Sequence, residues 1–183
     1  MTEHQNNVVD LLTQQHQEIR RLFSTVDKST GKKRAEAFDR LRYLLAVHET
    51  AEEEIVHPYA RRTISNGTQV VEARLHEENQ AKQTLQELER IGTDSVGFIP
   101  IFTEFRKAVE THAEHEEHEE FPQIAREATP AQLRGMVAAV KAAEAIAPTH
   151  PHPGVESPLK NLIAGPFASV MDRTRDAIRK AMS

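Results

Sequence analysis

An all-α fold is predicted for this 183-residue chain: an up-down antiparallel four-helix bundle with a C-terminal helical extension. Three features predict it. Apolar residues recur at steps of three and four over long stretches. Composition is 38% hydrophobic and 28% charged with only 7 glycines and few strand-forming runs, a balance that favours helices around one sizeable core. Finally, a segment repeats: His48-Glu49-Thr50-Ala51-Glu52-Glu53 and His112-Ala113-Glu114-His115-Glu116-Glu117 both read His-x3-Glu-Glu, and each is followed by a proline, Pro58 or Pro122, ten residues after its first histidine.

The first helix is expected over 7–27, where Val9, Leu12, Ile19, Phe23 and Val26 share a seam with His16. The second is expected over 33–62, with Phe38, Leu41 and Leu45 leading into His48, Glu52, Ile55 and Tyr59. Pro58 should kink this helix or end it early, because its ring does not fit a helical turn. Asn66-Gly67 reads as a turn. A third helix over 69–91 is the least regular; its face is read as Ala73, His76, Gln80, Gln83 and Glu87. The fourth, over 98–126, runs Phe98, Phe102, Phe105, Val109, His112, Glu116, with Pro100 tolerated in its first turn. Thr129-Pro130 then caps an alanine-rich helix to about 147, the stretch from Pro148 to Pro158 is a linker, and 167–182 is an amphipathic helix. Residues 1–128 are thus read as the bundle, and 129–183 as helices and a Pro-rich linker packed on it.

Several function classes are excluded by what is missing. Net charge is −5 with no basic stripe, so nucleic acid is not expected as a partner. With no cysteine there are no disulfides, thiolate metal sites or thiol nucleophiles. No apolar run approaches a membrane span, and a cytoplasmic location is the default expectation.

Carboxylates are almost never buried unless paired or metal-bound, yet Glu52 and Glu116 fall on the apolar seam where leucine would be expected. Histidine and glutamate four residues apart lie one turn apart on one helix face. Two helical hairpins, each with one lone histidine and one His-x3-Glu pair, would bring His16, His48, Glu52, His76, His112 and Glu116 together. Four imidazoles and two carboxylates suit a dinuclear non-haem iron centre, with His16 and His48 on one ion, His76 and His112 on the other, and Glu52 and Glu116 bridging. The bland alternative is a set of hydrogen-bonded core residues; matched pairs on four helices argue against it. His115 and His118 are read as solvated or supporting, His57 as facing away from His48, and His150 and His152 as surface residues of the linker. Glu49, Glu53, Glu117 and Glu120 are read as a solvated acidic face, and Tyr59 as core.

The order His, His-x3-Glu, His, His-x3-Glu with a proline after each pair resembles the hemerythrin-like, or HHE cation-binding, proteins over roughly residues 8–126. The resemblance implies an up-down four-helix bundle holding two irons with an oxo or hydroxo bridge, ligated by the six residues named. Oxygen-carrying hemerythrins typically have a further histidine one turn after the third-helix ligand, where this chain has Gln80. That departure implies an open position on one iron, and with it the bacterial branch linked to hydrogen peroxide or nitric oxide chemistry. The expected function is therefore catalase- or peroxidase-like turnover of such small oxidants. The rival expectation is a module that binds or senses oxygen, nitric oxide or iron without turnover; a zinc hydrolase is the weakest reading, since nothing supplies a nucleophile.

Overall fold

The computed structural model describes residues 7–146 and 167–182; the expected proline-rich linker lies outside them. Helix α1 (Val8–Lys28) is capped by the Asn7 side chain, which accepts from the Val9 N–H at 3.0 Å. After Ser29 and Thr30 the chain returns as α2 (Gly31–Ala51), passes through a π turn (Glu52–Val56), and continues as α3 (His57–Thr63). A short turn with Asn66 in the left-handed region (φ 53°) leads to α4 (Gly67–Ile91). Past Gly92, α5 (Phe98–His115), a second π turn (Glu116–Glu120) and α6 (Phe121–Glu127) complete the bundle. Helices α7 (Pro130–Ile146) and α8 (Phe167–Met182) follow. The described residues are thus helical throughout apart from short connections, as the apolar periodicity predicts.

The prolines neither end nor simply kink their helices. In each copy of the repeat, the turn before the proline widens so that an N–H bonds five residues back: His57 N–H to the Glu52 carbonyl, and Phe121 N–H to the Glu116 carbonyl. This lets the chain stay helical across a residue that has no N–H and crowds the preceding turn. It also absorbs one residue, so every side chain beyond it is rotated by about 100° from where a regular helix would put it.

Two apolar layers fill the interior. One gathers Phe23, Phe38, Phe98, Phe102 and Phe105, whose neighbouring rings lie 5.2–6.4 Å apart. The other gathers Val8, Leu12, Val56, Phe121 and Ile124 with Val140 and Ile178 of the tail helices. Between them lies a buried polar layer: Gln15 and His16 on α1, His48, Glu49 and Glu52 on α2 and its π turn, Arg74 and Glu78 on α4, and His112, Glu116 and Glu120 on α5 and its π turn.

The tail completes the fold. Tyr43, Leu44, Leu45, Ala46 and Val47 are buried in succession, because α8 covers the side of α2 that faces away from the bundle. Phe167, Val170 and Met171 of α8 join the phenylalanine-rich layer. Arg175 of α8 donates to Glu54 at 2.8 Å and to Glu53 at 3.2 Å, fastening the tail to the first π turn. Among the described residues no helix is long and apolar enough to cross a membrane.

Candidate metal centre

Each inward histidine is held from behind. His16 Nδ1 donates to Glu117 at 2.8 Å, His48 Nδ1 to the Gln15 side-chain oxygen at 2.7 Å, and His112 Nδ1 to Glu77 at 3.0 Å. Glu117 is itself held by Arg20 at 3.1 Å, while Gln15 donates its amide N–H to Glu144 of α7. These outer partners fix the tautomer and leave each Nε2 pointing into the polar layer, the arrangement metal-ligating histidines adopt.

There the three Nε2 atoms meet Glu52 and Glu116. His16 Nε2 lies 3.3 Å from Glu116 Oε2, His112 Nε2 3.3 Å from Glu116 Oε1, and His48 Nε2 3.3 Å from Glu52 Oε1. Both carboxylates are 0% exposed. His16 Nε2, His112 Nε2 and all four oxygens of Glu52 and Glu116 have no hydrogen-bond partner. Buried polar atoms are normally paired, so six orphans converging on one point mark a place for a cation.

Electrostatics agree. Burial, then the neighbouring Glu116, drive the Glu52 carboxyl well above its usual range. Burial also acts to raise Glu116, but His112 and then His16 outweigh it and hold that carboxyl well below the usual value. Burial, then His16, push His48 well below the ordinary imidazole value. For His112 burial works the same way, but Glu116 and Glu77 win and the ring is raised. Burial and mutual repulsion thus oppose the two carboxylate charges, and neighbouring imidazoles favour them, the kind of balance that a divalent cation would tip towards the charged form.

Two of the histidine expectations change. His76 is not in the layer: it is exposed on the outer face of α4, where the Gln80 amide donates to its Nε2 at 3.0 Å. The buried side of α4 is instead Val71, Arg74, Glu78, Ala81, Leu85 and Leu88. Glu78 thus takes the place expected of His76, and an oxygen of it groups with Glu52 and His112 within 4.8 Å, as His16 and His48 group with Glu52 and Glu116. The signal was there: 71, 74, 78, 81, 85 and 88 step by three and four, with Glu78 where leucine is expected. The open position inferred from Gln80 falls with His76, since neither residue faces the centre.

His57, read as facing away, is buried (2% exposed). Nine residues after His48 it would lie half a revolution round a regular helix, but the π turn brings it inward. Its Nε2 lies 2.9 Å from Glu78 and its Nδ1 3.1 Å from Glu120. Burial works against its charge, yet these two carboxylates raise it well above the usual value.

The acidic face is corrected as well. Glu49 and Glu120 are buried, Glu120 because of the second π turn and Glu49 because it faces α4 beside Lys82 and Glu78, while Glu53 and Glu117 are paired with Lys82 and Arg20. His115 shares Glu77 with His112, bonding it at 2.8 Å, and His118 caps back to the Glu114 carbonyl on the surface. Tyr59 is half-buried at the edge of the second apolar layer.

Beside the centre lies a small cavity with room for a water-sized guest, walled by Ile19, Leu45, Ala81 and Val109 and floored by His16, His48, Glu49, Glu78 and His112. Burial pushes the Glu49 carboxyl up to about 8. Between about 4.5 and 8 the folded metal-free chain keeps a Glu49 proton that the unfolded chain has lost, so this group weakens the fold as pH rises through that window. Metal-free Glu49→Gln should accordingly melt higher than the parent at pH 8, with the gap closing towards pH 5. Equal melting curves at both pH values would show that Glu49 is not desolvated.

A family model, the hemerythrin HHE cation binding domain, matches residues 7–124. The chain belongs to that family. Its fold is similar to a hemerythrin HHE cation binding domain-containing protein from Mycobacterium kansasii, with a TM-score of 0.72 and 22% identity over 92% of this chain and 98% of that one. That coverage reaches beyond the bundle into the tail, and at this identity the likeness is one of fold. No curated protein matches.

Proposed function

We propose that the polar layer holds two non-haem iron ions and that the protein turns over hydrogen peroxide in the adjoining cavity. The observation that carries the metal reading is the convergence of six buried, unpartnered ligand atoms from His16, Glu52, His112 and Glu116. His16 and His48 would hold one ion, His112 and Glu78 the other, with Glu52 and Glu116 shared between them. Bound iron supplies redox chemistry by cycling between ferrous and ferric states.

The chain's own residues do the rest. Ile19, Leu45, Ala81 and Val109 keep the cavity to the size of a water molecule, so that only the smallest ligands could enter by a slight displacement of these walls, and exclude bulk water. Glu49, which lines the cavity and whose buried Oε2 lies 3.4 Å from Lys82 Nζ, is the carboxyl placed to exchange a proton with a bound peroxide. Disproportionation of two peroxides to two waters and one dioxygen balances without an external reductant, which favours catalase-like turnover over a reaction needing a partner. Nitric oxide is the second substrate to try.

Iron content per chain and oxygen release on adding peroxide test this together. Two irons with sustained release are expected. His76→Ala should retain both, whereas His112→Ala should lose iron and activity. Two irons without release would leave a non-catalytic binder of oxygen or nitric oxide, and metal loss in His76→Ala would overturn the ligand set.

A further inference from the structure

We propose that the two halves of the centre discriminate unequally between divalent cations: the His16–His48 half is selective for iron, whereas the Glu78–His112 half also admits a harder ion, manganese, when that ion is in excess. This rests on the two-ion reading above and concerns which ion enters which half.

The internal repeat shows how the halves diverge. His16 precedes His48 by 32 residues, and Glu78 precedes His112 by 34, so Glu78 is the counterpart of His16. Phe121 and His57 are counterparts too, each nine residues after its repeat histidine and each first after its π turn. Phe121 stacks on the His16 ring at 5.7 Å with 11° between planes, whereas His57 bonds Glu78 at 2.9 Å. A stacked His–Phe contact in one half has become a Glu–His hydrogen bond in the other.

Donor chemistry follows. The first half offers two imidazole nitrogens beside the shared carboxylates Glu52 and Glu116; the second offers one imidazole and a further carboxylate. Glu49 adds a further carboxyl close by, its Oε2 lying 3.4 Å from the Lys82 Nζ that also holds Glu78 at 3.1 Å. Nitrogen donors favour iron, whereas carboxylates suit manganese. His57 and Lys82 each engage one oxygen of Glu78, and a carboxylate oxygen has a second lone pair left for an ion. Because divalent affinities generally rise from manganese to iron, the effect is a narrowed preference in the second half against a full one in the first.

The test uses the full chain, stripped of metal and given ferrous and manganous ions together without oxygen, in graded excess of manganese. Metals are counted after desalting, and manganese is followed by electron paramagnetic resonance. A plateau of about one iron and one manganese per chain is expected, with a manganese signal broadened by the neighbouring iron. Glu78→His should shift the plateau to two irons, with manganese retention falling on the order of tenfold. Should that variant not fold, the parent titrated with manganese alone decides: one tight manganese and a second bound at least about tenfold more weakly are expected. Two irons at every ratio, or two equivalent manganese sites, would overturn the proposal while leaving the two-ion reading intact. Fewer than two ions under all conditions would overturn both.

Discussion

Glu52→Leu is expected to abolish metal binding and at the same time raise the melting temperature of the metal-free protein. Glu52 is 0% exposed, both its oxygens lack hydrogen-bond partners, and Glu116 opposes its charge. Such a residue weakens the metal-free fold, because its desolvation is not offset by bonds. Leucine restores the seam residue that the helix period calls for, and a gain of about 1–2 kcal/mol is expected in the metal-free form, set by the usual effect of replacing a buried ionic group by an apolar one. In the parent, iron should add stability in proportion to its excess over the dissociation constant; in the variant it should add none. Melting curves with and without metal check both halves. A variant less stable than the stripped parent would mean that Glu52 is paired within the protein and is structural.

Gly67→Ala is expected to be the most damaging of the conservative changes outside the centre. A Cβ at Gly67 would lie 2.3 Å from the Ala60 carbonyl oxygen and 3.0 Å from that of Arg61, both backbone atoms that cannot swing away. Helices α3 and α4 meet there, so the added carbon must push them apart. One helix continues from the π turn of Glu52 and the other carries Glu78. A loss of about 3 kcal/mol or more is expected from overpacking against backbone, a fall on the order of 10 °C in melting temperature for a chain of this size. Gly135→Ala, where nothing lies within 4 Å, is the control and should be neutral or slightly stabilising. Equal melting of the two variants would show that the contact between α3 and α4 relaxes freely.

What the sequence determined by itself was whatever repeats over many residues. Seams running through Val9, Leu12, His16 and Phe23, and through Phe98, Phe102, Phe105 and His112, leave one choice of buried face, because each extra turn confirms the phase. Those seams, with the one through Phe38, Leu41 and Leu45, carry His16, His48, Glu52, His112 and Glu116, so five of the six expected site residues lie in the polar layer. Helix α4 has apolar residues too thinly spread for such confirmation: a face through His76 and one through Glu78 are both drawn by steps of three and four. Its rotation is decided by its neighbours, which bury Ala81, Leu85 and Leu88 and carry Glu78 inward with them. Tertiary structure also decided the two π turns. Each is a single altered hydrogen bond beside a proline, invisible to any period, yet it moves His57 and Glu120 from the surface to the interior. The burial of Glu49 belongs with these, since it depends on α4 packing against α2 and bringing Lys82 and Glu78 beside it. Periodicity thus settles which stripe of a strongly patterned helix is buried, and packing settles the weakly patterned helix, the local change of pitch and the long-range cover.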